Sequence, residues 1–172
     1  MVARLVATAE ATDLLRRLRG IHGGLMMHQS GGCCDGSSPM CYPDGEFIVG
    51  DRDVLLGVVD LRLEVGEIPK DLPDGADAMA VWISGSQFEA WKHTQLILDA
   101  VPGRGSGFSL ETPEGMRFLS RARAFTAEEN DILAAEPLFV GVDWEEGRRP
   151  LPPDQPQVVA EASEACPVPI RR

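Results

Sequence analysis

Three of the chain's four cysteines, Cys33, Cys34 and Cys41, fall within one stretch, residues 28–43, which reads HQSGGCCDGSSPMCYP. Thiolates bind zinc, copper(I) and iron, and they are the ligands of iron–sulfur clusters. His28 and Asp35 stand in the same stretch, and His22 and His93 can be brought to it by the fold. No Cys-x-x-Cys pair is present, so the usual spacing of a structural zinc site is missing. Adjacent cysteines point their side chains apart. The expected ligands are therefore Cys41 with Cys33 or Cys34, and His28 and His93 are second choices. The ion would be iron, zinc or copper, or the group an iron–sulfur cluster.

Two other readings stand beside metal binding. In one, the backbone amides around Gly31 and Gly32 stabilise a reactive thiolate or an oxyanion, with His28 or His93 as the base. In the other, small buried cysteines fill space beside a tight loop. Metal binding is preferred to the packing reading, and both are preferred to nucleophilic catalysis. A second glycine cluster, residues 102–107, lacks the Gly-Lys-Ser/Thr ending of a phosphate loop and reads as a turn. No Gly-x-Ser-x-Gly elbow is present.

The elements around these residues are legible to different degrees. Ala11, Leu14, Leu15 and Leu18 recur at helical spacing behind Thr8 as N-cap, and Gly20 ends the pattern. Strands are expected at residues 25–29, 46–49 and 54–60, with a turn at 50–53. Residues 61–77 form a polar, Gly- and Pro-containing excursion. A strand at 78–83 leads to Ser84 and Gln87, spaced as a capping box, and to a short helix with Phe88 and Trp91. A strand follows at 94–101. Residues 107–111 and 116–124 are expected to form a hairpin about Thr112-Pro113-Glu114-Gly115. Alternation on 116–124 puts Arg117, Arg121 and Arg123 on one face, which would be solvated or meet an acidic surface of this protein. Residues 126–129 can start a short helix. From residue 147 the composition predicts a tail of low order, and Cys166 within it reads as incidental.

The chain has 172 residues, 44% hydrophobic, and a formal net charge of −11. That length and composition suffice for one core. The charge would repel nucleic acid and an anionic membrane surface, so neither is an expected partner. No run approaches the ~20 apolar residues of a membrane span, and the N-terminus lacks the pattern of a signal peptide. The expected location is cytoplasmic, where thiols stay reduced.

The stretch at 28–43 resembles the signature loop of a bacterial family, the domain-of-unknown-function 779 family (DUF779). Later blocks resemble it too: Trp91-Lys92-His93-Thr94-Gln95-Leu96, Val101-Pro102-Gly103-Arg104-Gly105, Phe108-Ser109-Leu110-Glu111 and Pro113-Glu114-Gly115-Met116-Arg117-Phe118. The likeness spans about residues 6–125. Members are often encoded beside aldehyde dehydrogenases, so the resemblance implies an accessory role in aldehyde or alcohol oxidation. An aldehyde dehydrogenase would be the partner. The order of elements also resembles the A-type iron–sulfur carriers (HesB-like). That likeness implies a dimer, and Cys33 or Cys34 would match the first cluster cysteine. Those carriers have a Cys-Gly-Cys pair near the C-terminus, and residues 111–118 hold no cysteine here.

The expected fold is α+β. An N-terminal helix and a second short helix pack on a small antiparallel, barrel-like sheet (HesB-like) within residues 1–125. Residues 126–172 would be a C-terminal extension, partly disordered. The expected function is a metal-binding accessory protein, the metal held by the Cys-rich loop. The alternatives are a thiol-dependent enzyme or redox protein acting on a reactive aldehyde, and a non-catalytic subunit docking on an aldehyde dehydrogenase.

Overall fold

A computed structural model describes residues 1–30, 39–105 and 107–162. The chain opens on a strand that the sequence pattern had merged with the helix after it. Leu5–Thr8 form β1, every residue of it buried. Thr8 ends the strand and caps α1, Ala9–His22, its hydroxyl accepting from the Ala11 amide at 3.2 Å. The helix does not stop at Gly20 but runs one further step to His22 and closes on Gly23, φ 80°. A glycine inside a helix costs about 1 kcal/mol. Burial of Leu14, Leu15 and Leu18, at roughly 1.5–3 kcal/mol each, outweighs it, and the Gly23 amide caps Arg19 O at 2.8 Å.

Among the described residues, seven further strands and three further helices follow: β2 (Leu25–Gln29), β3 (Met40–Pro43), β4 (Val54–Asp60), β5 (Ala78–Ile83), α2 (Gly85–Trp91), β6 (Thr94–Pro102), β7 (Met116–Ala124), α3 (Ala127–Ala135), α4 (Gly141–Glu145) and β8 (Val158–Val159). They make two four-stranded sheets, ordered β7-β6-β1-β8 and β3-β2-β5-β4. β1 runs parallel to β6 and β8, and β2 parallel to β5; the pairs β6–β7, β2–β3 and β4–β5 are antiparallel. The expectation of one antiparallel, barrel-like sheet is therefore corrected. The mixed α/β character stands, but the sheets are open and mixed. The cause is topological: α1 carries the chain from one sheet to the other, and α2 carries it back. Such helical crossovers suit parallel pairing.

Side chains alternate across each strand, so Leu5, Ala7, Leu25, Met27, Met79, Val81, Leu96 and Leu98 face one shared core with the apolar stripe of α1. The second sheet is buried on its other face as well. Met26, Val58, Ala80 and Trp82 lie there under Phe47, Phe139 and Trp144. This double burial explains why Leu25-Met26-Met27 reads as a continuous apolar run rather than an alternation.

Several local expectations change for tertiary reasons. Residues 46–49 form no strand; Phe47 and Val49 lie against the outer face of the second sheet instead. Residues 107–111 are not a hairpin arm, because β6 pairs with β7 along its whole length, from Thr94↔Ala124 to Pro102↔Met116. Ser84 stands at the start of α2, but its hydroxyl makes no cap bond and is buried without a hydrogen-bond partner among the described residues. The excursion at 61–77 is irregular and is tied down by Arg16, whose Nε donates to Leu61 O at 2.9 Å. The basic face of β7 meets acids of the same chain: Arg121 pairs with Asp99 at 2.7 Å and Arg123 with Glu129 at 2.9 Å. Within the segment expected as a tail, β8 docks beside β1, and buried Gln157 donates from Nε2 to Val58 O at 2.7 Å. Cys166 lies outside the described residues.

Candidate functional site

The alternation of β2 decides which side chains meet. Leu25 and Met27 enter the core, while Met26 and His28 take the outer face of the second sheet. His28 is 4% exposed. Its Nε2 lies 2.8 Å from Asp53 Oδ2, and its Nδ1 lies 2.7 Å from the hydroxyl of Ser30. The Phe47 ring covers the imidazole at 4.5 Å between centroids, and Tyr42 stacks on Phe47 at 4.8 Å. With Asp53 ionised, Nε2 donates to it and Nδ1 is left to accept from the Ser30 hydroxyl. A carboxylate, an imidazole and a hydroxyl thus form one hydrogen-bonded chain. It ends at the residue from which the stretch with Cys33 and Cys34 departs.

Asp53 is itself held from two sides. Its Oδ2 also accepts from the Gly50 amide at 2.8 Å, which closes the turn at 50–53. From the far end of the chain, the Gly141 amide donates to Asp53 O at 3.0 Å, and the Leu55 amide donates to Phe139 O at 2.9 Å. A Cβ on Gly141 would clash with the carbonyl oxygen of Gly50. The start of α4 therefore lies flush against the turn that aims Asp53.

Cys41 is placed differently. It pairs with Met27 across β2–β3, so its thiol shares the core face and is fully buried. Burial pushes the thiol well above the usual cysteine range, and the nearby Glu111 pushes it further. Such a thiol stays protonated and is a poor nucleophile and metal ligand. Glu111 is itself 1% exposed and pushed up, chiefly by burial, against the hydrogen bonds it accepts from Ser109 Oγ and the Phe118 amide. Ser109 Oγ in turn accepts from the Cys41 amide at 2.8 Å. This network fastens the β6–β7 loop onto β3.

The remaining sequence candidates do not join His28 among the described residues. His93 is exposed after α2, its Nδ1 3.2 Å from Asn130 Oδ1, in a cleft between α2 and α3. His22 is exposed at the end of α1. Cys33, Cys34 and Asp35 lie outside the described residues. Among the described residues, no group of three or more His, Cys, Asp or Glu converges as a metal site would. Nor is any helix long and apolar enough to cross a membrane.

Sequence reasoning missed Asp53 and the role of Ser30. Ser30 was findable: two residues beyond His28 on an extended chain, it shares the face of His28. Asp53 lies 25 residues away in a turn, with no spacing rule to connect it. A family model described as domain of unknown function (DUF779) matches residues 14–124. No curated protein and no solved structure matches the chain.

Proposed function

The chain belongs to the domain-of-unknown-function 779 family, and on that premise, joined to the geometry at His28, we propose that it is a metal-binding accessory protein of aldehyde or alcohol oxidation. His28 and the thiol of Cys33 or Cys34 hold the ion in this reading. One observation carries it: Asp53 fixes one nitrogen of a buried imidazole, and the other meets the Ser30 hydroxyl at the head of the cysteine-bearing stretch, a bond that an ion would replace. Metal-binding histidines are commonly oriented in this way by a carboxylate on the far nitrogen. Imidazole with thiolate suits zinc, copper or iron. Cys41 is left out of the ligand set because its buried thiol resists ionisation, and His93 because it lies in another cleft. The link to aldehyde or alcohol oxidation rests on the gene neighbourhood that the family implies, with an aldehyde dehydrogenase as the partner.

A second reading is favoured by the position of Ser30. Asp53 orients His28, and His28 Nδ1 meets the Ser30 hydroxyl, an arrangement that suits a general base acting through a hydroxyl relay. His28 would then take the proton of a loop thiol by way of Ser30, and the thiolate would add to the carbonyl carbon of a reactive aldehyde.

Elemental analysis of protein purified without a histidine tag and without chelator tests the first reading. Wild type, His28→Ala, Cys33→Ser, Cys34→Ser and Cys41→Ser are compared. Near-stoichiometric iron, zinc or copper is expected in wild type and in Cys41→Ser, and loss in His28→Ala and in one of Cys33→Ser and Cys34→Ser. No metal in wild type after anaerobic reconstitution overturns it. Fast alkylation of Cys33 or Cys34 near neutral pH, slowed in His28→Ala, would then support the second reading. Co-elution with the neighbouring dehydrogenase on size exclusion tests the partner.

A further inference from the structure

Seven of the twelve arginines among the described residues are engaged within the protein. Arg16, Arg19, Arg62, Arg121, Arg123 and Arg148 each reach a carboxylate. Arg149 lies over the ring of Trp144 at 3.6 Å. Arg17, Arg52, Arg104 and Arg117 are left, and so is Arg4. Arg4 differs from them in being half-buried, just before β1. Its guanidinium donates one hydrogen bond within the protein, from Nη2 to Leu133 O at 3.2 Å, and sits 5.4 Å from the centroid of the Phe88 ring. No carboxylate pairs with it among the described residues. A guanidinium carries several more donors in a planar fork, and here they have no hydrogen-bond partner among the described residues. Burial pulls the Arg4 pKa down, and the field of Glu136 opposes this in part.

Arg4 also borders open space. Arg4 lines a cleft of about 450 Å³ between α2 and α3, whose walls include Phe88, His93, Asn130, Leu133 and Leu138. One wall is thus apolar, and one corner holds an under-used cation. His93 offers its Nδ1 to Asn130, which leaves Nε2 free at the same cleft.

We propose that this cleft binds a small monocarboxylate with a short apolar tail. The carboxylate pairs with the fork of Arg4, and the tail lies along Phe88, Leu133 and Leu138. The planar fork matches a carboxylate bidentately. A dianion such as phosphate is disfavoured, because Asp131 and Glu136 also line the cleft, where Lys92 is already paired with Glu89 at 2.8 Å, and the chain carries a net charge of −11. A ligand without charge would leave the guanidinium donors unmet.

The test titrates the full chain with acetate, butyrate, hexanoate and inorganic phosphate at constant ionic strength, reading amide shifts by NMR. Saturable shifts around Leu133 and His93 are expected for the carboxylates. Affinity should rise about threefold to fourfold per added methylene, and phosphate should not saturate. Arg4→Gln should abolish the shifts. Leu138→Ala, at a site 42% exposed and safe for folding, should weaken hexanoate more than acetate. Absence of saturable binding, equal binding of phosphate and butyrate, or a chain-length dependence unchanged in Leu138→Ala overturns the proposal. So does undiminished binding in a folded Arg4→Gln.

Discussion

Replacing Asp53 by Asn tests the hydrogen-bonded chain at His28 most directly. The side chain keeps its shape and an acceptor oxygen but loses its charge. In the wild type a single oxygen accepts from His28 Nε2 and from the Gly50 amide, each at 2.8 Å. The Asp53 side chain is 16% exposed, so solvent screens the bond to His28 little, whereas the bond from the Gly50 amide is exposed. A hydrogen bond to a charged group contributes about 1.5–3 kcal/mol and a neutral one about 0.5–1.5 kcal/mol. The charge is thus worth about 1 kcal/mol at the His28 bond and less at the exposed one, and Asp53→Asn is expected to cost roughly 1–2 kcal/mol. At this chain length that lowers Tm by roughly 2–8 °C. Urea denaturation should show a lower midpoint with an unchanged slope. A double-mutant cycle with His28→Gln should give a coupling of about 1 kcal/mol or more, since the two side chains touch. A loss below about 0.5 kcal/mol, the range of ordinary surface substitutions, would refute the reasoning, as would additive single mutants. If His28 holds a metal, the same variant should also weaken metal retention about tenfold to a hundredfold.

Three further outcomes follow from the same geometry. Cys41 should resist iodoacetamide in the native protein and react only after unfolding, as read by peptide mass spectrometry; labelling at the rate of a free thiol would show that it does not face the core. Glu111 is held above the usual carboxyl range in the fold, so its contribution to stability is full below the unfolded value and is lost as pH rises through the folded one. The stability of wild type relative to Glu111→Gln should therefore fall across that window in urea melts, and a flat difference would refute the burial argument. Gly141→Ala forces a methyl against the Gly50 carbonyl and should cost about 1–3 kcal/mol. It should also displace the side-chain NMR signals of His28 through the turn at 50–53; a silent substitution would sever α4 from the site.

Much of the local structure was readable because its causes are local. The stripe of α1, the cap at Thr8 and the helix start at residues 126–129 need neighbours no more than a few turns away. The apolar runs that became β2, β4, β5 and β6 announced burial. The family was legible in the same way, from blocks of adjacent residues. His28 was singled out from the sequence as a second-choice ligand, but its partners Asp53 and Ser30 were not.

What only the tertiary structure decided depends on contacts between distant segments. β1 is four residues long and runs straight into a helix, so its pattern is lost in that of α1 until β6 and β8 flank it. Sheet closure could not be read, because strand order is set by long-range pairing rather than by any strand's own residues. Nor could Asp53 be matched to His28, since a turn and α4 from the end of the chain bring them together. Cys33, Cys34 and Cys41 look alike in a line of text. Cys41 is set apart by the register Met27↔Cys41, which turns it to the core face opposite His28. A one-residue shift of that register would turn it outward, and only the packed sheet fixes the register.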